Sequence, residues 1–153
     1  MMRHILIPTD GSKQSEQAIR HGVKLAKALG AKVTGLHVIP RFHTFTYRAQ
    51  TLLTYHVALT QDSEAGYKET TTVCAKKLLQ FITRAAANAN VACDTLHVFD
   101  DQPFEAIIAT AKKRGCDLIS MASHGHSGIS GILLGSEAQK VLTHSHIPVL
   151  IYR

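Results

Sequence analysis

Apolar positions along this chain follow two periods that alternate. Residues 4–7 form a short unbroken apolar run ending at Pro8, which predicts a buried strand. Over residues 12–29, Ile19, Val23, Ala26 and Leu29 recur at spacings of three and four, and Gly30 stands where such a helix would stop. Residues 32–39 are β-branched and apolar, a second strand halted by Pro40. A long helical pattern covers 67–87, with Cys74, Leu78, Phe81, Ile82 and Ala85 on one face. Strands are predicted again at 95–99, 117–121 and 148–152. Between them lie a helix at 103–114, with Pro103 in its first turn and Phe104, Ile107, Ile108 and Ala111 inward, and an amphipathic segment at 137–144. Strands separated by helices predict one α/β domain over residues 1–153. Its core is a five-stranded parallel sheet covered on both faces, a three-layer sandwich. Residues 40–66 break the pattern. Aromatics and His43 crowd their start, and 48–59 suits one short helix. So long a connection is usually functional, and both a lid over a ligand and a partner surface fit it.

Composition narrows the class. The chain has 153 residues, enough for one well-buried core; 45% are apolar and only 18% charged. No apolar run approaches the roughly 20 residues of a membrane span, and the first run is cut by Pro8 and Asp10, too soon for a secretory leader. A cytoplasmic protein with no membrane partner is expected. Three cysteines, widely spaced and without a C-x-x-C pair, read as reduced and mostly core thiols. The net charge of +6 sits on lysines dispersed through helical segments (Lys24 and Lys27, Lys76 and Lys77, Lys112 and Lys113), so no nucleic-acid partner is expected.

The chemistry gathers at strand ends. In doubly wound sheets ligands bind beyond the carboxyl ends of the strands, here residues 8–10, 37–39, 100–102 and 122–125. Met121-Ala122-Ser123-His124-Gly125, then nine residues, then Gly135-Ser136, joins the fourth strand to the last helix. Glycines let backbone N–H groups approach a phosphate, and a helix start adds unpaired donors and the positive end of a dipole. Ser136 suits capping that helix, phosphate binding, or both. The Ser123 hydroxyl suits a phosphate oxygen or the turn itself. Asp10, in an Asp-Gly-Ser turn, reads as a turn former or as a ligand for sugar hydroxyls or Mg²⁺. Gly128 and Gly131 fall outside the register of the motif. The pairs His124/His126 and His144/His146 lack a third metal ligand at useful spacing and read as surface or supporting histidines. No G-x-S-x-G, H-E-x-x-H or Walker sequence is present, and no lysine lies within 121–136, so fast ATP hydrolysis is not expected.

Residues 5–12, residues 36–39, Ser123-His124-Gly125-x9-Gly135-Ser136 and residues 147–151 together resemble the universal stress protein family. The resemblance implies a Rossmann-like, adenine nucleotide α-hydrolase-like fold that binds ATP, or ADP or AMP, with or without Mg²⁺. It implies a binding set of Pro8, Thr9, Asp10, Val38, Met121, Ala122, Ser123, His124, Gly125, Gly135, Ser136 and Glu137. Val38 would lie on adenine, Asp10 on the ribose or a phosphate-bound metal, and the loop around the phosphates. It also implies a homodimer through strand 147–152 and a regulatory role in the stress response. One position departs from the family's G-x2-G-x9-G-[ST]: Ala122 replaces the first glycine. If that glycine serves a positive φ, alanine costs on the order of 1 kcal/mol; if it serves close approach, one methyl is tolerable. The alternatives are a stress-response dimer that binds no nucleotide and works through protein partners, a slow ATPase, and an adenylyl-transfer relative. The last would carry a serine- and glycine-rich loop after strand 1, and residues 8–12 lack that density.

Overall fold

The computed structural model describes residues 1–43, 63–125 and 134–153. The short helix expected at 48–59, most of the 40–66 insertion, His126, Gly128 and Gly131 lie outside the described residues. The elements run β1 (His4–Pro8), α1 (Lys13–Leu29), β2 (Lys32–Ile39), α2 (Glu64–Ala89), β3 (Cys93–Phe99), α3 (Pro103–Arg114), β4 (Leu118–Ala122), α4 (Ser136–His144) and β5 (Val149–Tyr152). All strands pair in parallel in the order β3-β2-β1-β4-β5, so the direction of winding reverses between β1 and β4.

Because successive strand residues face opposite sides, each strand feeds two cores. Ile5, Ile7 and Val33 pack against Ile19, Val23 and Ala26 of α1 and Leu79, Ile82 and Ala86 of α2. Leu6, Leu36, Ile119 and Met121 pack against Ile107 and Ala111 of α3 and Ala138 and Val141 of α4. The result is the three-layer sandwich anticipated from the pattern. Caps set the helix limits. The Ser12 hydroxyl accepts from Ser15 N at 3.1 Å to open α1, and Gly30, at φ 63°, closes it with Ala31 N reaching back to Ala26 O at 2.8 Å. Asn90, at φ 55°, does the same for α2.

Two expectations need correction. The inward face of α2 is Tyr67, Ala75, Leu79, Ile82 and Ala86, and Cys74 is exposed. Leu78, Phe81 and Ala85 flank that face, because the helix seats small Ala75 and Ala86 against the sheet and turns the predicted face partly sideways. The thiols are consequently not mostly core: Cys116 is buried, Cys93 half-buried and Cys74 exposed. The paired lysines of α1, α2 and α3 are all exposed, as dispersed solvated charges should be.

The amino-terminal end of the sheet holds a polar chain. Thr34, fully buried, donates to Asp94 Oδ1 at 2.6 Å and receives His4 Nε2 at 2.7 Å. Arg114 pairs with the other Asp94 oxygen at 2.8 Å, and the amides of Arg3 and His4 both donate to Asp117. The buried members, Thr34 and His4, each have a partner, which is the condition for keeping such groups buried, and the chain runs out to exposed Asp94 and Arg114. Among the described residues no helix is long and apolar enough to cross a membrane.

Candidate functional site

The site follows from the topology. β1 runs into α1 on one face of the sheet and β4 runs toward α4 on the other, so the two loops diverge at adjacent carboxyl ends and leave a crevice. The β1 side is tightly pinned. Thr9 N donates to Leu36 O at 2.9 Å, and His37 Nδ1 donates to Thr9 O at 2.8 Å. The Thr9 hydroxyl lies 3.0 Å from Ser15 Oγ and accepts from Gly11 N at 3.2 Å. Gly11 turns with φ 79°, a conformation that L side chains rarely adopt, and a Cβ there would press on Leu78. Asp10 Oδ1 accepts Ser12 N at 2.9 Å, fixing the carboxylate above the start of α1. His37 was absent from the expected set. Its signal was a histidine two residues from the end of a buried strand, with a neighbouring turn carbonyl to hold.

The β4 side meets it. Ser123 N donates to Tyr152 O at 2.7 Å, continuing the β4–β5 ladder one step past the strand. Gly135 N then donates to Ser123 O at 2.7 Å, bringing the end of the loop back onto its beginning. Both motif glycines are there for space. A Cβ on Gly125 would collide with Asp10 Oδ2, and a Cβ on Gly135 would sit 3.0 Å from Ser123 O and 3.4 Å from His124 Cα. Gly135 has φ −68° and ψ 155°, which any residue adopts. Asp10 and Gly125, 115 positions apart in the chain, are therefore in contact across the crevice.

Two sets of donors face this junction. The Ser123 hydroxyl pairs with His124 Nδ1 at 3.0 Å, while His124 Nε2 is buried and has no hydrogen-bond partner among the described residues. Such a group calls for a ligand or other polar partner. Gly135 is the N-cap of α4 and supplies no side-chain cap, so among the described residues the first-turn N–H groups from Ser136 onward keep free donors beside the positive end of the helix dipole. This corrects the expectation that Ser136 caps the helix: Ser136 is its first residue and is exposed. The Glu137 carboxylate is engaged elsewhere, accepting Phe104 N at 3.0 Å and pairing with Lys140 at 3.0 Å, which ties α3 to α4 and leaves only its backbone at the site.

Val38 and Met121 lie on the α3–α4 side of the sheet, in one apolar cluster with Leu6 and Ile119. Val38 is half-buried and Met121 and Pro8 are buried, making an apolar wall beneath the crevice. Ala122 pairs with Tyr152 as the last residue of β4. Among the described residues Asn90 alone combines a side chain with positive φ, so alanine at 122 carries no backbone strain. Among the described residues no three His, Cys, Asp or Glu side chains gather to hold a metal. His144 instead binds Lys140 O through Nδ1 at 2.8 Å, on the surface.

A parallel sheet wound in both directions, with glycine-spaced loops meeting at its switch point, defines a Rossmann-like α/β protein. The chain belongs to the universal stress protein family: the family's model matches residues 1–153. It is 32% identical over 157 residues to universal stress protein MJ0577 of Methanocaldococcus jannaschii, covering 100% of this chain and 96% of that one. It is also 32% identical to universal stress protein YxiE of Bacillus subtilis over 155 residues, with both chains covered completely. The solved structure of MJ0577 matches with a TM-score of 0.77 at 29% identity, covering 99% of this chain and 95% of the other. The fold is shared with a universal stress protein solved in complex with cAMP (TM-score 0.67, 22% identity, 99% and 97% covered). It is shared too with one from Archaeoglobus fulgidus in complex with dAMP (TM-score 0.68, 17% identity, 100% and 98% covered).

Proposed function

We propose that this chain binds an adenine nucleotide, ATP or its di- or monophosphate, in the crevice between the β1 and β4 loops, and that occupancy regulates its stress-response partners. The observation that carries the reading is the junction at Gly135. There the backbone closes on Ser123, α4 opens without a side-chain cap, and the buried Nε2 of His124 has no partner among the described residues. Backbone donors, a helix dipole and one imidazole nitrogen are the inventory a phosphate chain requires. Val38 and Met121 offer the apolar surface for a base, and Asp10 lies where ribose hydroxyls would fall. Asp10 would supply a carboxylate oxygen to Mg²⁺, and phosphates and waters would supply the rest, as Mg²⁺ normally prefers. That relatives of the same fold were solved with cAMP and dAMP supports the adenine class.

Ala122 ends β4 in register with Tyr152 and carries no backbone strain, which supports the nucleotide-binding reading over a member that binds none. Dimerisation through residues 147–152 belongs to the same proposal. β5 is an edge strand of four half-buried apolar and aromatic residues, and open edges pair with other chains. Calorimetric titration of nucleotide-stripped protein with ATP, ADP and AMP, each with and without Mg²⁺, tests the reading. Micromolar binding that disappears in Gly135→Val is the expected result. No heat from a folded wild type with any of the three overturns it.

A further inference from the structure

The opposite edge of the sheet is longer and more regular than β5. β3 pairs with β2 through all seven of its residues without a bulge and contains no proline. Val33 N bonds to Ala92 O and Asp100 N bonds to Ile39 O, which fixes the parity of the ladder. In a parallel pair one residue directs both its N–H and C=O to the same side, and the next directs both to the other. Asp94, Leu96 and Val98 therefore face β2, while Cys93, Thr95, His97 and Phe99 present their backbone groups outward. These four have no backbone partner among the described residues. Edges are ordinarily blunted by shortness, proline, lysine or a bulge, and this one has none of those devices.

A groove of about 460 Å³ runs along this edge, between Thr95–His97 and the Lys76, Gln80 and Thr83 side of α2. The helix above it is cationic. α1 and α2 hold eight of the 17 Lys and Arg residues and three of the 11 acids, hence five of the six net positive charges. After Glu69, α2 carries Lys76, Lys77 and Arg84 and no acid. The other face of β3 is apolar, with Leu96 and Val98 half-buried against the α3 cluster. Asp94, the strand's own acid, is already paired with Arg114.

We propose that the β3 edge docks an extended acidic segment of another protein. Its backbone adds as a further strand, its alternate carboxylates meet Lys76, and its intervening apolar side chains continue the Leu96–Val98 surface. This is recognition by strand addition, with backbone bonds giving affinity and alternating pockets giving choice. A second copy of this chain fits less well. Pairing β3 with β3 about a two-fold axis would bring two α2 helices together, lysine against lysine, which is repulsive. The site lies two strands from the crevice and does not depend on nucleotide binding.

The test is amide hydrogen exchange by NMR on the full chain, with an acetylated, amidated heptapeptide alternating valine and glutamate. At ten times its Kd, exchange at Thr95, His97 and Phe99 should slow by about tenfold. Leu96 and Val98, already bonded to β2, should not change. Thr95→Pro removes only an outward N–H, which an edge strand tolerates, and should abolish the effect; unchanged protection of Leu96 and Val98 would certify its fold. Lys76→Glu should weaken it. No slowing at millimolar peptide overturns the proposal. So does equal slowing with the lysine version of the peptide or with single-stranded oligothymidylate. Slowing produced by raising protein concentration alone would assign the edge to self-pairing and overturn it as well.

Discussion

Replacing Gly135 by valine tests the site geometry most directly. At φ −68° and ψ 155° the backbone accepts any residue, so strain does not enter. The cost is steric. The first added carbon would lie 3.0 Å from Ser123 O and 3.4 Å from His124 Cα, both on the backbone, which has no rotamer to give. The γ-methyls of valine add to the crowding. Either the contact is endured as overpacking, at about 1–3 kcal/mol, or the loop retreats and loses the 2.7 Å bond from Gly135 N to Ser123 O, a loss of similar size. For a chain of this length each kcal/mol moves Tm by roughly 2–4 °C, so Gly135→Val should melt about 2–12 °C lower, with Gly135→Ala between it and wild type. Saturating ATP, at a hundred times its Kd, should raise the wild-type Tm by an amount equivalent to about 2.7 kcal/mol and leave the valine variant unmoved. Thermal unfolding followed by circular dichroism, with and without ATP, reads both quantities. A valine variant with wild-type Tm would refute the close approach itself. A lowered Tm with no ATP effect in either protein would leave the close approach standing and refute the binding.

The remaining predictions concern other parts of the fold. Thr34→Val should destabilise by about 1–3 kcal/mol in urea unfolding, because it strands His4 Nε2 in a buried site; a neutral outcome would deny that chain its structural role. Burial, then Lys32, holds the His4 pKa below 6.5, and burial, then Lys76 and His37, does the same for His97. The unfolded chain therefore takes up protons first as pH falls through about 6.5, so stability is full above that value and declines below it. The decline as pH falls below about 6.5 should shrink in His97→Asn, and an unchanged decline would count against the assignment. Burial alone would raise the Asp117 pKa, but bonds from the Arg3 and His4 amides outweigh it and hold it below 3.8, so its contribution persists until pH falls beneath that value. Among the thiols, burial lifts Cys116 and Cys93 to about 11 while Cys74 is exposed, so an aromatic disulfide reagent should titrate one thiol quickly in the native protein and three in denaturant.

The order of elements was legible because buried parallel strands read as unbroken apolar runs and the helices between them keep a clear period. Residues 103–114 match the predicted helix to the residue: Pro103 marked its first turn, and the structure closes it with Gly115 in the left-handed conformation. α2 was harder. Its sequence is rich in alanine and threonine, and the choice between a Cys74 face and an Ala75 face depends on how closely the helix lies on Gly35, where a Cβ would meet Ile82 at 2.7 Å. That is a tertiary contact with no signal in the local period. The beginning of β3 was missed for a related reason. Cys93 and Asp94 join the strand because β2 extends back to Lys32 and offers Val33 as a partner, and not because their own side chains favour it.

The site divides the same way. Spacing identified Gly125 and Gly135, and the end of the first strand pointed to Asp10; positive φ and close approach were the two reasons open for the family's first glycine, and spacing could not say which reason applies where. The structure separates them. Gly125 and Gly135 leave little room for a Cβ, against Asp10 Oδ2 and the Ser123 carbonyl, at negative or unremarkable φ. Among the described residues the one glycine of the site that needs a left-handed backbone is Gly11, on the β1 side. Ala122 falls under neither demand. It is a strand residue in register with Tyr152, and an extended residue in a ladder gains from a methyl what glycine would lose in entropy. The family pattern thus joins positions of different physical kind: one is a strand end where this chain carries alanine without strain, and two are close contacts where a Cβ would force a neighbour to shift. A departure at the first costs little, and a departure at either of the others would move the Asp10 carboxylate or the start of α4, the two groups that define the crevice.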